Sequence, residues 1–373
     1  MADFSTVINN MRAADRFNRA ANDPRVQFAG PTNRRYLFAG LMPESLRDSN
    51  QYDEEDYNVL DIVASDVDAY SAPPFKGAFM EAVPFNVRFG DSGVATQMGP
   101  QLYSTIVRLL GRSASMERVA TQSLNFNGVL INACLTHNEV QRCNATVGGS
   151  VIRKVGRTNE VINYPNGSGQ RTALAAAWSD PNYDPMTDIL PMHQRAADLG
   201  FAGIRRIIST TNAVNILMGN PHMARRIGNV QIVGTEEYQE YADVDRLDAY
   251  FRRNRLPAIE TYDVTYKDQE EGSAGTHRFI PDDVMIFVFD TGRGEDVDLT
   301  ALAENGGIYV PEQGDLGYTG IGTTAGHEDR GPGRYSNLVA HEGARPHVMG
   351  EIVQKGLPVF NEPNGFDVFS NIH

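Results

Sequence analysis

Residues 57–110 restrict what this chain can fold into more than any other stretch. They carry β-type apolar pieces such as Tyr57–Val63 and Ala82–Phe89, cut by Pro73-Pro74, Gly77, Pro84, Gly90, Gly93 and Gly99-Pro100. Proline and glycine placed this way prevent a helix and interrupt any long strand. More than 50 residues without a clear helix is unusual inside a compact domain. Ordering them costs conformational entropy that only burial offsets, and the chain offers no obvious internal partner. The segment is expected to be extended and to be covered by something else, another chain being one source.

Around it the chain is patterned for a core. Met116, Val119, Ala120, Leu124, Leu130, Ile131 and Cys134 recur at helical spacing and predict a helix over 114–138. Gly128 within it costs ~1 kcal/mol relative to alanine. Strands are expected at Val151–Val155 and Glu160–Asn163, and a turn at Asn166–Gly169. After Trp178, Asp184-Pro185 reads as an N-cap followed by a first-turn proline, opening a helix to Leu199 that Pro191 should kink. A buried strand at Ile204–Ser209, helices near 213–218, 221–227 and 244–255, and strands at 258–266 and 278–289 follow. Residues 290–335 are rich in glycine and acid, and strands return at 347–354 and 366–372. This alternation suggests a compact α/β or α+β domain.

Charge is uneven. Six arginines fall within residues 1–35, whereas 44–68 hold nine acids, including Asp53-Glu54-Glu55-Asp56, against Arg47 alone. Two solvated stretches account for this, and so does a basic arm lying on an acidic strip of a neighbouring copy. The net charge of -14 repels phosphate, so sequence-independent nucleic-acid binding is not expected. Of the 33 basic residues four are lysine and 29 arginine, a bias that suits interfacial carboxylate pairs or reflects genome composition. No apolar run approaches the ~18 residues of a membrane span, and the N-terminus lacks a signal-peptide layout. Folding in a cytoplasm is expected. Cys134 and Cys143 cannot build a disulfide framework, and no CxxC pair offers a zinc site.

No fragment amounts to a catalytic site. Gly90-Asp91-Ser92-Gly93 matches the surroundings of a trypsin-like nucleophile, but no histidine precedes Ser92 and the first is His137; a Gly-Asp turn is the simpler reading. His327-Glu328 and His341-Glu342 lack the second histidine four residues on, where Gly331 and Arg345 stand. The eight histidines are too scattered for a ligand cluster. Gly320–Gly326 misses dinucleotide spacing by one residue, and no Walker lysine follows a glycine-rich loop. Asp282-Asp283 and Asp66-x-Asp68 read as loop caps. No catalytic, cofactor-binding or metal residue is assigned, and no cofactor is expected.

From Trp178 onward the chain resembles the lambda-type major capsid proteins of tailed phages. Trp178-Ser179, Tyr183-Asp184-Pro185 and Asp188-Ile189 resemble the opening of that family's capsomer-axis domain. Ile207-Ile208 before a helix, and Phe279-Ile280-Pro281-Asp282 before an apolar strand, resemble later landmarks. Gly356-Leu357-Pro358-Val359 with Glu362–Phe366 looks like the closing strand. The order of these pieces over residues 100–373 carries the likeness; upstream of Trp178 only the layout matches, and the first 50 residues match nothing placed.

The resemblance implies an α+β fold of the Hong-Kong-97 type. Its parts would be an N-terminal arm (1–56), an extended β-loop (57–105), a peripheral domain with a long spine helix (106–179 and 330–356) and an axial domain (180–329 and 357–373). It implies a structural, non-enzymatic subunit that self-assembles as hexamers and pentamers into an icosahedral virion shell. The expected partners are the protein itself, scaffold and portal proteins, and in some shells a decoration protein. Packaged double-stranded DNA would be enclosed without specific binding, and no membrane is involved. A separately encoded scaffold is expected, because no large scaffolding segment follows Met1. The alternative is an encapsulin-like compartment on the same fold. Lys76, in the extended loop, is a candidate for a covalent link to an asparagine of another subunit, although exposed lysines are ordinarily just solvated.

Overall fold

The computed structural model describes residues 4–22, 36–47, 51–56, 83–111, 116–155, 158–164, 170–174, 176–227, 231–233, 236–238, 243–268, 275–290, 315–324, 326–341, 347–360 and 364–372. Helices α1 (Phe4–Ala13), α2 (Arg16–Asn22) and α3 (Leu37–Leu41) open the chain. Strands β1 (Glu44–Leu46), β2 (Gln51–Asp56), β3 (Val83–Arg88) and β4 (Gly90–Gln97) follow. Next come α4 (Pro100–Gly111) and α5 (Met116–Gly148), then β5 (Ser150–Val155), β6 (Thr158–Asn163) and β7 (Gln170–Ala173). The middle of the chain holds α6 (Met186–Ile189), α7 (Met192–Asp198), β8 (Gly203–Ser209), α8 (Thr211–Gly219) and α9 (Pro221–Ile227). It continues with β9 (Gln231–Val233), β10 (Glu236–Tyr238), α10 (Val244–Arg253), β11 (Ile259–Thr261), β12 (Thr265–Asp268), β13 (Gly275–Arg278) and β14 (Met285–Asp290). The chain closes with β15 (Gly317–Gly322), β16 (Tyr335–His341), β17 (His347–Phe360) and β18 (Phe366–Ser370).

Two five-stranded sheets organise these elements. In the first, the 14-residue β17 pairs antiparallel with β16 and β4 along its early part and with β15 along its end. β1 lies parallel outside β15. Helix α5 crosses this sheet, and Gly350 lets it sit close: a Cβ there would stand 2.6 Å from Phe126 and 2.8 Å from Leu130. Val119, Phe126, Leu130 and Ile131 of α5 form one core with Leu338, Val348 and Ile352 of the sheet.

The second sheet runs β11-β8-β14-β18-β7. Met285, Phe287 and Phe289 of β14 pack into the core that holds Trp178 and the helices, while Ile286 and Val288 face the core shared with the first sheet. Both faces of β14 are covered, which is why its sequence is one apolar run rather than an alternation. Leu357 and Phe360 of β17 complete the shared core. At this junction Arg171 of β7 donates to the last carbonyls of α5, at 2.9 Å to Ala145, 2.8 Å to Thr146 and 3.0 Å to Val147. It thereby satisfies acceptors that a helix end leaves open. Gly149, at φ +67°, ends the helix beneath it in the left-handed region that glycine tolerates.

Several sequence expectations need correction. The long helix runs to Gly148, ten residues past the expected end at 138. Residues 100–111 are helical, not extended, and 90–97 form a sheet strand, so Gly90–Gly93 is not a turn. The acidic run Asp53–Asp56 lies in β2, paired with β3. Of the expected loop, 57–82 lies outside the described residues, and so does Lys76; the turn at 166–169 lies there too, as does 291–314. β15, expected with the axial part, joins the first sheet, and β7, expected with the peripheral part, joins the second. Residues 357–360, also assigned to the axial part, end β17 in the first sheet.

The N-terminal stretch differs most. Val7, Ile8, Met11, Phe17 and Ala21 are buried in the core beneath α5. Asn18 Oδ1 accepts from the backbone N–H of Ser336 at 2.7 Å, and Asn22 Oδ1 from that of Arg334 at 2.8 Å. These side chains occupy backbone donors at the start of β16, as a neighbouring strand would. In the middle of the chain, the helix expected over 184–199 appears as α6 and α7, broken at Pro191.

Asp367, on β18, sits in the second sheet with a buried side chain and Arg195 Nη1 2.9 Å from Oδ2. Burial pushes its pKa up from 3.8 to about 6, and Arg195 offsets this only in part. The folded state therefore binds a proton that the unfolded state releases, so this group's penalty is full above pH ~6 and gone below pH ~4. At ~1.4 kcal/mol per pKa unit, Asp367→Asn should stabilise the protein by up to ~3 kcal/mol near pH 7. Denaturant titrations of both proteins at several pH values check this: the gap should close near pH 4, and a gap independent of pH would disprove the assignment.

Candidate assembly site

Where the two sheets approach each other, charged side chains are buried together. The side chains of Glu139 and Arg142 of α5 and of Arg334, just before β16, are 0%, 1% and 2% exposed. Arg142 donates through Nε to Thr319 Oγ1 at 2.7 Å, through Nη1 to Glu139 Oε2 at 3.3 Å, and through Nη2 to Glu44 Oε1 at 3.4 Å. Arg334 donates through Nε to Gln354 Oε1 at 2.8 Å and through Nη2 to Glu44 Oε1. Asn138 Nδ2 donates to Glu44 Oε1 at 2.9 Å. Glu139 Oε1 accepts from the backbone N–H of Phe38 and from the hydroxyl of Tyr262, each at 2.9 Å.

The two carboxylates respond differently to this surrounding. Burial would raise Glu44, but Arg334 and Arg142 together overcome it and hold the carboxyl below its usual range. Burial dominates at Glu139 and pushes it up, with Arg142 opposing. Burial and then the Glu139 charge push the Tyr262 phenol up, so it stays protonated and donates. Two guanidinium groups balance two carboxylates, and the cluster ties α3, β1, α5, β15, β17 and the segment after β11 into one arrangement. Asn138, Glu139 and Arg142 are polar on this stretch of α5 because they face the cluster, not water.

The surface carries contact features of another kind. On the β5–β6 hairpin, Ile152 and Val161 are directly paired and 60% and 52% exposed. Leu46, Val129 and Met349 are also exposed. Single exposed apolar residues are ordinary; Ile152 and Val161 place two of them side by side on one hairpin. Among the described residues β4 pairs only with β17, which leaves a sheet edge of alternating exposure.

No protein-family model matches this sequence, and no curated protein matches it. Solved structures do. The crystal structure of a putative prophage capsid protein from Escherichia coli CFT073 superposes with a TM-score of 0.55. That match covers 97% of this chain and 98% of that one at 14% identity. A phage-related protein from Bordetella bronchiseptica RB50 gives 0.52 over 94% and 97% of the two chains at 11% identity. The chain has the Hong-Kong-97-type capsid fold.

The capsid fold sorts the fragments that the sequence singled out. Ser92 lies within β4, in register with Gln354. The ring of His327 stacks on Tyr335, centroids 4.4 Å apart, and His341 stacks on His347. Asp282 pairs with Arg278 at 3.1 Å. Among the described residues no three His, Cys, Asp or Glu side chains converge as a metal cage would need, and no helix is long and apolar enough to cross a membrane. Sequence reasoning missed the buried cluster. Asn138, Glu139 and Arg142 fall at and beyond the expected helix end at 138, where no local pattern pointed to them.

Proposed function

We propose that this chain is the major capsid protein of a tailed bacteriophage, assembling as hexamers and pentamers into an icosahedral shell around double-stranded DNA. The observation that carries the reading is the fold shared with the prophage capsid protein along nearly the whole of both chains. The first sheet with α5 would form the peripheral domain, and the second sheet with α6–α10 the axial domain. β2 and β3 would belong to the extended loop reaching a neighbour. The subunit works structurally, not as an enzyme. It resides in the virion and assembles in the host cytoplasm with scaffold and portal proteins. The net charge of -14 suits a container from which DNA must not be held back by a basic lining.

Electron microscopy and light scattering of the purified protein, with and without scaffold, test this. Closed shells, or rings of five and six copies, are expected. A chain that stays monomeric at high concentration under both conditions overturns the reading. Shells that take up a co-produced protein cargo in place of DNA would favour a compartment function.

A further inference from the structure

The β16–β17 hairpin is closed by two histidines. His341 ends β16, His347 begins β17, and the two are register partners in the antiparallel ladder. Their rings face each other with centroids 4.8 Å apart and planes 20° from parallel. His341 is exposed and His347 half-buried. The histidines of this chain are scattered in sequence, and the fold brings this pair together.

Directly opposed residues in such a ladder hold their Cβ atoms ~4.5–5.5 Å apart. A neutral imidazole presents one ring nitrogen as an acceptor, and a divalent transition metal accepts such nitrogens at ~2.0–2.1 Å. Two nitrogens on one ion therefore lie ~3.3 Å apart in tetrahedral geometry. Rings already stacked across the ladder reach that spacing by side-chain rotation, without moving the strands. The backbone positions both ligands before any ion arrives, which keeps the ordering cost of binding low.

We propose that His341 and His347 form a two-histidine site for a divalent transition metal of the zinc, nickel or copper class. Imidazole suits these ions, whereas magnesium and calcium prefer oxygen ligands. Water completes the coordination sphere, and the bound ion ties the end of β16 to the start of β17. The site belongs to the folded subunit and does not depend on the capsid reading.

Calorimetric titration of Ni²⁺ and of Zn²⁺ into the purified full chain tests the site. One ion per chain is expected, and a chelator such as EDTA should remove it. His341→Gln and His347→Gln should each weaken binding more than about tenfold, the scale at which even supporting groups around a metal act. His193→Gln, whose ring contacts the Asn254 carbonyl oxygen instead, should bind as the wild type does. A second readout needs no variant. Zn²⁺ should protect His341 and His347 of the wild-type chain from diethylpyrocarbonate, mapped by mass spectrometry. Absence of saturable binding, equal affinity in both variants, or full modification of both histidines at saturating Zn²⁺ would each refute the site.

Discussion

Arg142→Met should destabilise the free subunit by about 3–5 kcal/mol, the cost of leaving a buried charge without its partner. Arg142 is the side chain that touches both carboxylates of the buried cluster as well as Thr319. Without it, Glu139 keeps a charge that no described group but the Phe38 N–H and the Tyr262 hydroxyl stabilises. Urea unfolding followed by circular dichroism and by fluorescence of Trp178, the one tryptophan of the chain, measures the loss. The double variant Glu139→Gln with Arg142→Met should recover much of it, because a neutral amide removes the stranded charge. A loss under ~1 kcal/mol, the range of an exposed pair, would show that the cluster is not closed to water. Acid should act on the two carboxylates in opposite senses. Glu44, held below 4.5, contributes stability that is lost as the pH falls through its lowered pKa. Glu139, raised above 4.5, is relieved of a buried charge by taking up its proton first, so its protonation favours the fold.

Removing residues 1–22 should leave a subunit that no longer folds stably, not merely one that assembles poorly. Val7, Ile8, Met11 and Phe17 are each at most 4% exposed. Burying side chains of this kind stabilises by roughly 1.5–3 kcal/mol apiece, and the ordering entropy of the deleted residues offsets only part of the sum. The total is comparable with a whole domain's stability of about 5–15 kcal/mol. Phe17→Ala isolates the effect without touching charge and should cost about 3–5 kcal/mol. Neutralising Arg12 and Arg19, both exposed, should leave unfolding nearly unchanged. If the truncated chain instead unfolds like the wild type and loses only salt-sensitive assembly, residues 1–22 serve a neighbouring copy rather than their own core.

Local pattern was legible wherever local physics decides. The apolar stripe from Met116 to Cys134 marked the body of α5, because helical spacing is written into consecutive turns. Asp184 and Pro191 marked where α6 starts and where α7 departs from it. The alternation of helices and strands after Trp178 announced the second sheet, and the order of short pieces carried the resemblance to a capsid family. Long-range pairing was not legible. Gly90–Gln97 carries little apolar material, and it becomes a strand because Met349–Gly356, from the other end of the chain, supplies its hydrogen bonds. β15 likewise belongs to the first sheet only because Lys355–Phe360 pairs with it.

The sequence by itself determined the body of α5, most element types between Trp178 and Asp290, and the acidic balance, since each depends on residues within a few positions or on a sum over the chain. Tertiary structure decided what the polar and basic residues are for. Asn138, Glu139 and Arg142 look like a wet helix face until Glu44, Arg334 and Gln354 arrive from distant strands to satisfy them. The arginine-rich start looks like an arm for a neighbour until its apolar side chains are found beneath α5. A charge or an amide carries no mark of its partner in one dimension, and whether it is buried is set only when remote segments close over it.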